Sequence, residues 1–511
     1  MRLLIFLLLP LACFAGPLST VYHSLDPLSI RQQLAFYSLY PETSEGKRAK
    51  ARALILLTKH APKEIHIETP LAIPSLSVEN FLSLTHLFPE ETAANMSPDD
   101  IALIDSLCSY FPNRSLPGHY ATDEKELDAL SSEDIDLARS ILLIEYKDEP
   151  ERAQKIARYE ASLDFMALEV LARLSKSSTP IDKVHALNEY IFHELKFRFP
   201  PHSLWAKDID EYTLLPSVMD SRLGVCLGVS ILYLSLAQRL GLDLEIVTPP
   251  GHIYVRLRDH DTVTVIETTA RGISLPEDTY LSVNTTSLKT RTMKEVVGLA
   301  FFNQASVAWR KGVYEKARGN YAIAKRFVPN DSLIDELYGY THLLTGNKEE
   351  GEKLLRRARK NPSTHEIYHN GIIDDYFAGN LNVEVLKALF QEVDHKRESI
   401  EQKRDMLREF IHKFPKSKEL AFHLAITYLQ LGRGKEAYEL LKRYIQFEKE
   451  NPNVYYFLAS LSMERYNFLA AWEYLTLCES LCSKHNHFPK TLVVLRNTLQ
   501  RKLPKPKKRF I

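Results

Sequence analysis

Cysteine, net charge and long apolar runs are all scarce in this chain of 511 residues, and each scarcity excludes something. There are five cysteines, at 13, 108, 226, 478 and 482, with no Cys-x-x-Cys pair and no zinc-finger spacing. A structural zinc site is therefore not expected, nor a disulfide-stapled scaffold, and the sequence calls for no metal or other cofactor. Lysine plus arginine and aspartate plus glutamate both number 65. That balance argues against broad nucleic-acid binding and against steering of a partner by global charge. Beyond the first fifteen residues no run is long and apolar enough to be expected to span a membrane.

What is present begins at the amino terminus. Met1-Arg2 leads into an apolar run that ends at the small residues Ala15-Gly16. A positive start, an apolar stretch of this length and small residues at its end are the parts of a signal peptide cut after Ala15. Pro10 interrupts the run and stands where a lipoprotein motif around Cys13 wants an aliphatic residue; an uncleaved anchor is the alternative. The expectation is export to the periplasm or cell envelope. At the other end, residues 499–511 include the basic, proline-interrupted Arg501-Lys-Leu-Pro-Lys-Pro-Lys-Lys-Arg. This tail reads either as a solvated terminus or as a peripheral contact with an anionic membrane. Hydrophobic content of 45% and charged content of 25% suit a globular protein with large cores.

The chemistry is concentrated in one stretch. It runs Arg222-Leu-Gly-Val-Cys226, then Pro249-Pro-Gly-His252-Ile-Tyr-Val-Arg, then Val263-Thr-Val-Ile-Glu267-Thr-Thr. From Leu227 to Leu240 there is no proline, apolar side chains recur at Leu227, Ile231, Leu234 and Ala237, and Gly241 supplies a left-handed stop. Cys226 therefore opens a helix, where unpaired amide N–H groups and the positive dipole end favour thiolate over thiol. Residues 252–258 alternate, with His252, Tyr254 and Arg256 on one face, and residues 263–268 form a second β-rich run. If Asp259-His260 is a two-residue loop, His252 lies directly across from Glu267. A four-residue loop slides the pairing by two and keeps both on one face, whereas a three-residue loop separates them.

An imidazole can take a thiol proton, and a carboxylate can fix its tautomer and stabilise the imidazolium. Cys226, His252 and Glu267 are therefore the candidate catalytic residues. Singly, the cysteine reads as a small core residue and the histidine as a hydrogen-bonded strand residue. Their order and predicted facing favour chemistry.

With these residues in view the stretch resembles the transglutaminase-like superfamily, and within it the bacterial SirB-type branch whose core is followed by tetratricopeptide repeats. The leading segments Asp134-Ile-Asp-Leu-Ala-Arg-Ser-Ile-Leu-Leu-Ile and Val184-His-Ala-Leu-Asn-Glu-Tyr-Ile-Phe look like that branch's first helices. The resemblance implies a papain-like α+β core, with the cysteine on a helix packed against an antiparallel sheet that carries histidine and acid. Carried over, it makes Cys226 the nucleophile, His252 the base and Glu267 the third member. Most superfamily members have aspartate there, so glutamate is a departure.

Beyond residue 298 the sequence becomes periodic. Gly312-Val-Tyr-Glu-Lys-Ala317, Gly346-Asn-Lys-Glu-Glu-Gly351, Gly432-Arg-Gly-Lys-Glu-Ala437 and Tyr466-Asn-Phe-Leu-Ala-Ala471 are variants of one turn. Ala317 to Gly351 is 34 residues, as is Ala437 to Ala471, which is the tetratricopeptide period. Small residues recur before each turn at Ala305, Gly339, Ala425 and Ala459, and after it at Ala324, Ala358 and Cys478, with Tyr444 as the exception. Residues 363–417 are left for one or two degenerate units around Gly379.

The expected organisation is a signal peptide over 1–15, an irregular helical region over 18–132, and a transglutaminase-like domain over 133–290. An all-α repeat solenoid over 298–498 and the basic tail complete it. Two functions stay open. One is an exported cysteine-dependent acyl-transfer enzyme, with amide hydrolysis ahead of crosslinking because water is the default acceptor, whose repeats bind a protein or peptide partner. The other is a non-catalytic adaptor acting through its repeats.

Overall fold

The computed structural model describes residues 18–62, 96–200, 212–391, 393 and 396–505. The signal peptide expected over 1–15 and the end of the basic tail lie outside them. Among the described residues no helix is long and apolar enough to cross a membrane.

The chain divides into two compact units. The first takes residues up to Ser115 together with Tyr146–Glu194 and Ser235–Leu242, and its described elements are helices. Ser29, Thr43 and Ser97 each cap a helix by accepting a bond from a first-turn amide. The helices Ile30–Leu39 and Arg152–Arg173 are joined by one buried carboxylate: Glu169 accepts from the backbone N–H groups of Ile30 at 3.2 Å and Arg31 at 2.7 Å, and pairs with Arg173 at 3.0 Å. Buried Asp164 likewise takes Arg239 at 2.6 Å. Cys108 is fully buried in this unit, and burial pushes its thiol well above the ordinary range. It is a packing residue.

The second unit takes Leu116–Glu145, Leu195–Leu234 and Asp243–Ile511. It holds an antiparallel sheet of β1 (Glu245–Thr248), β2 (Tyr254–Asp259), β3 (Thr262–Ile266) and β4 (Lys289–Arg291), in the order β3-β2-β1-β4. The hairpin corrects the expected register. Its two-residue loop is His260-Asp261, because Asp259 pairs with Thr262 and Val255 with Ile266. The pairing is thus two residues from the one that set His252 across from Glu267. His260, the first residue of the loop, takes the left-handed turn conformation at φ +50°. A slip of two preserves parity, so the same side chains share a face.

The repeats are helical pairs. Met293–Arg310 packs with Tyr314–Phe327, Ser332–Leu344 with Lys348–Lys360, Lys418–Gln430 with Gly434–Phe447, and Pro452–Glu464 with Phe468–Ser483. Shorter helices Ile372–Phe377 and Val383–Leu389, then Arg397–Lys413, fill the degenerate stretch. The small residues sit where helices close on each other. A Cβ on Gly351 would stand 2.9 Å from the Gly339 carbonyl oxygen, too close for any side chain. Tyr444 breaks the small-residue rule yet is fully buried, because Tyr368 and Asn451 meet its hydroxyl at 3.1 and 3.2 Å.

One boundary also needs correction. Residues 499–502 are not tail but the last turn of the helix Lys490–Lys502. Leu492, Leu495 and Leu499 form its buried stripe, and Trp472 Nε1 donates to the Leu503 carbonyl at 2.9 Å.

Candidate active site

Cys226 is the first residue of the helix Cys226–Arg239. The approach to it is tightly held. Arg222, in the left-handed region at φ +57°, ends the preceding helix Leu215–Ser221, and the Val225 N–H donates to the Tyr212 carbonyl at 3.1 Å. The chain at 212–213 lies so close to the first turn that a Cβ on Gly228 would stand 2.3 Å from the Tyr212 carbonyl oxygen. A glycine inside a helix costs about 1 kcal/mol against alanine, and here the close backbone approach requires it. A glycine this close to a helix start, in Gly224-Val-Cys226-Leu-Gly228, is the sequence mark of that close approach. Gly241 ends the helix at φ +59° as the sequence predicts, with Leu242 N–H bonded to the Ala237 carbonyl at 2.9 Å.

His252 follows a tight turn. Pro250 and Gly251 are its central residues, Gly251 has φ +71°, and the His252 N–H closes it on the Pro249 carbonyl at 3.1 Å. The imidazole Nε2 stands 2.6 Å from Glu267 Oε2, which leaves Nδ1 for the thiol of Cys226. Burial opposes the charged imidazole. Hydrogen bonds to Cys226 and Glu267, with the negative charge on both, outweigh it and raise His252 to about 10.

Glu267 is buried and every lone-pair direction of its carboxylate is used. Oε1 accepts from the Thr269 hydroxyl at 2.8 Å and the Thr269 N–H at 3.3 Å, and Oε2 from Tyr280 OH at 2.8 Å as well as facing His252. Burial disfavours the ionised carboxylate, but the bonds from His252 and Tyr280 hold it below its usual value. The neighbouring Thr268 hydroxyl reaches Ser230 Oγ at 3.0 Å and the Cys226 carbonyl at 3.4 Å. The acid-bearing segment is thereby registered against the first turn of the cysteine helix. Tyr280, Thr268, Thr269 and Ser230 were not identified from sequence. The two threonines were hinted at by following Glu267 directly, but no local pattern marks Tyr280.

Cys226 and His252 open into a cleft of about 1170 Å³. Its near wall is largely apolar, with Phe199, Leu227, Pro249 and Ile253. Its far wall belongs to the repeats: Asp331, Ser332 and Glu336 from the second helical pair, and residues 361–366, 369 and 370 beyond it. Asp331 joins the two sides. It caps the helix Ser332–Leu344 through Leu333 N–H and accepts Lys289 and Arg291 of β4, each at 2.9 Å.

A cysteine at a helix start, beside a histidine just before one antiparallel strand and a carboxylate just after the next, is the arrangement of a thiol–imidazole–carboxylate site. Comparison with known proteins identifies the domain that carries these residues. Residues 157–303 match the model of the transglutaminase-like superfamily and residues 404–461 that of the tetratricopeptide repeat, so the chain carries a transglutaminase-like domain followed by repeats. UPF0162 proteins of two Xylella fastidiosa strains, Temecula1 and 9a5c, are each 31% identical over 90 residues, or 17% of this chain. The match spans only 29% of their own length. Among solved structures, a tetratricopeptide repeat protein from Parabacteroides merdae is similar at 14% identity over 40% of this chain and 71% of its own (TM-score 0.23). MamA is similar at 15% identity over 37% and 98% (TM-score 0.20). Menin, whose structure reveals a binding site for the Mixed Lineage Leukemia protein, is similar at 10% identity over 75% and 93% (TM-score 0.33).

Proposed function

We propose that the protein is a thiol-dependent acyl-transfer enzyme in which Cys226 is the nucleophile, His252 the base and Glu267 the orienting carboxylate. The observation that carries this reading is the 2.6 Å contact between His252 Nε2 and Glu267 Oε2, with the imidazole also hydrogen-bonded to a cysteine at a helix start. His252 takes the thiol proton, and the thiolate attacks an amide carbonyl. A carbon–sulfur bond forms and the carbon–nitrogen bond breaks, as the imidazolium gives its proton to the leaving amine. Water, deprotonated by His252, then cleaves the thioester, releasing the acid and restoring the thiol. The net reaction is amide hydrolysis.

The proposed substrate is a polypeptide. The cleft exceeds the roughly 300–1,000 Å³ of small-molecule sites, and the repeats, a module that generally mediates protein–protein contact, supply its far wall. The apolar leader motivates the further proposal that the protein acts after export, which mass spectrometry would test by finding a mature chain that begins near Gly16. The decisive experiment for the activity is to trap an acyl-enzyme from a cell-envelope extract with wild type and Cys226→Ala. An adduct on wild type alone is expected. Equal recovery of partner proteins by both, with no adduct on either, would leave a non-catalytic adaptor as the better account.

A further inference from the structure

We propose that Tyr280 is a positioning residue for the His252–Glu267 pair, and that the repeat array holds it in place through residues 282–287. The inference deepens the reading of the site given above, although its main test does not depend on catalysis.

Tyr280 touches both members of the pair. Its hydroxyl donates at 2.8 Å to Glu267 Oε2, the same oxygen that faces His252. Its ring stacks on the imidazole, with centroids 5.7 Å apart and planes at 18°, and on Tyr254 at 4.7 Å and 23°. A donor on that oxygen favours the ionised carboxylate and restrains its rotation away from the imidazole. The stacked ring restrains the imidazole itself.

Tyr280 closes the short turn Glu277–Tyr280, and the chain then runs directly onto the repeats. The Ser282 carbonyl accepts from His487 Nε2 at 2.7 Å, and Val283 is buried in the apolar cluster of the last helices with Tyr455, Ala459 and Leu475. Asn284 bonds the Tyr368 backbone in both directions, each at 2.9 Å, and its own carbonyl accepts from Ile367 N–H at 3.0 Å. Thr286 N–H donates to the His365 carbonyl at 2.9 Å. Only Leu281 separates Tyr280 from these anchors. They engage two parts of the array, around 365–368 and 482–487, that lie more than a hundred residues apart in sequence. A change in the stacking of the repeats therefore moves the segment that carries the tyrosine.

The titratable and charged groups facing Glu267 are His252 at the approach to β2, Tyr280 from its turn, and Cys226 beyond the imidazole. On the neighbouring strands Arg256 is paired with both Glu245 and Glu277. Loss of the Tyr280 hydroxyl should consequently let Glu267 protonate at higher pH.

The test follows the His252 ring in histidine-labelled full-length protein by NMR against pH, with the rate of Cys226 alkylation measured in parallel. In Tyr280→Phe, which keeps the stacked ring, the acid-side inflection is expected to move up by about one pH unit. Tyr254→Phe should leave it in place. Asn284→Ala, or His487→Ala if the first does not fold, should move it in the same direction by a smaller amount. An inflection unmoved in Tyr280→Phe overturns the positioning role. One that moves there but in neither anchor variant overturns the part assigned to the repeats. If wild-type Cys226 alkylates no faster than a free thiol while the inflection still moves, the catalytic reading fails and the inference stands.

Discussion

His252 and Glu267 meet at 2.6 Å from just outside the strands that bring them together, His252 two residues before Tyr254 opens β2 and Glu267 one residue after Ile266 closes β3. The contact gives stability a defined pH dependence. His252 is raised to about 10 in the folded protein, against 6.5 when unperturbed. Its stabilisation is therefore complete below pH 6.5 and is lost as the pH rises through 10. Denaturant unfolding of wild type and His252→Gln should show a stability gap that shrinks between pH 6 and pH 10. A gap that is constant or widens would contradict the assignment.

Thiol reactivity should divide sharply by position. Cys226 is half-buried at the cleft, whereas Cys108 is sealed and its thiol is pushed up by burial. An alkylating probe is expected to modify Cys226 first. His252→Ala should slow that modification by about tenfold or more, and Glu267→Gln by less, because the carboxylate acts through the imidazole. A rate that rises only above pH ~8, as for a free thiol, would sink the proposed chemistry.

Glu267→Asp is expected to be as damaging as Glu267→Gln, even though aspartate is the usual acid in proteins this chain resembles. The carboxylate is pinned on one oxygen by Thr269 and on the other by His252 and Tyr280. An arm shorter by one methylene, ~1.5 Å, cannot keep both. Alkylation rates of the three forms would decide, and an aspartate form matching wild type would mean that the backbone at 267 can follow.

Tyr466 offers a stabilising change. It stands at φ +60°, in the turn position that Gly312, Gly346 and Gly432 fill in the other helical pairs, and is 82% exposed. A non-glycine residue in the left-handed region costs about 1–2 kcal/mol, and little packing would be lost. Tyr466→Gly should raise the melting temperature of the full-length protein; a lower one would show that the ring contact with Phe468 matters more.

Ala437→Leu should act the other way. Ala437 is fully buried between the helices Lys418–Gln430 and Gly434–Phe447, and overpacking such a site costs about 1–3 kcal/mol. If the repeats serve only to bind a partner, pull-down weakens and Cys226 labelling is unchanged. If they also brace the site, as Asp331 bonded to Lys289 and Arg291 suggests, labelling falls with it.

What depends on local pattern could be read from neighbouring residues. A proline-free apolar helix ending at a glycine put Cys226 at a helix start, and a 34-residue spacing of small residues announced the helical pairs. These are short-range consequences of helical periodicity and backbone sterics, so they are written in neighbouring residues. The rest came from long-range packing. The hairpin register turned on which two residues formed the loop, and the pairing of Asp259 with Thr262 left it to His260 and Asp261. Leu499 and Leu503 joined the last helical pair because a buried stripe and the Trp472 indole were there to receive them. Tyr280 and the clasp at 282–287 rest on partners as distant as Tyr368 and His487. Such contacts leave no period in the sequence, because what selects them is the surface that folding brings opposite.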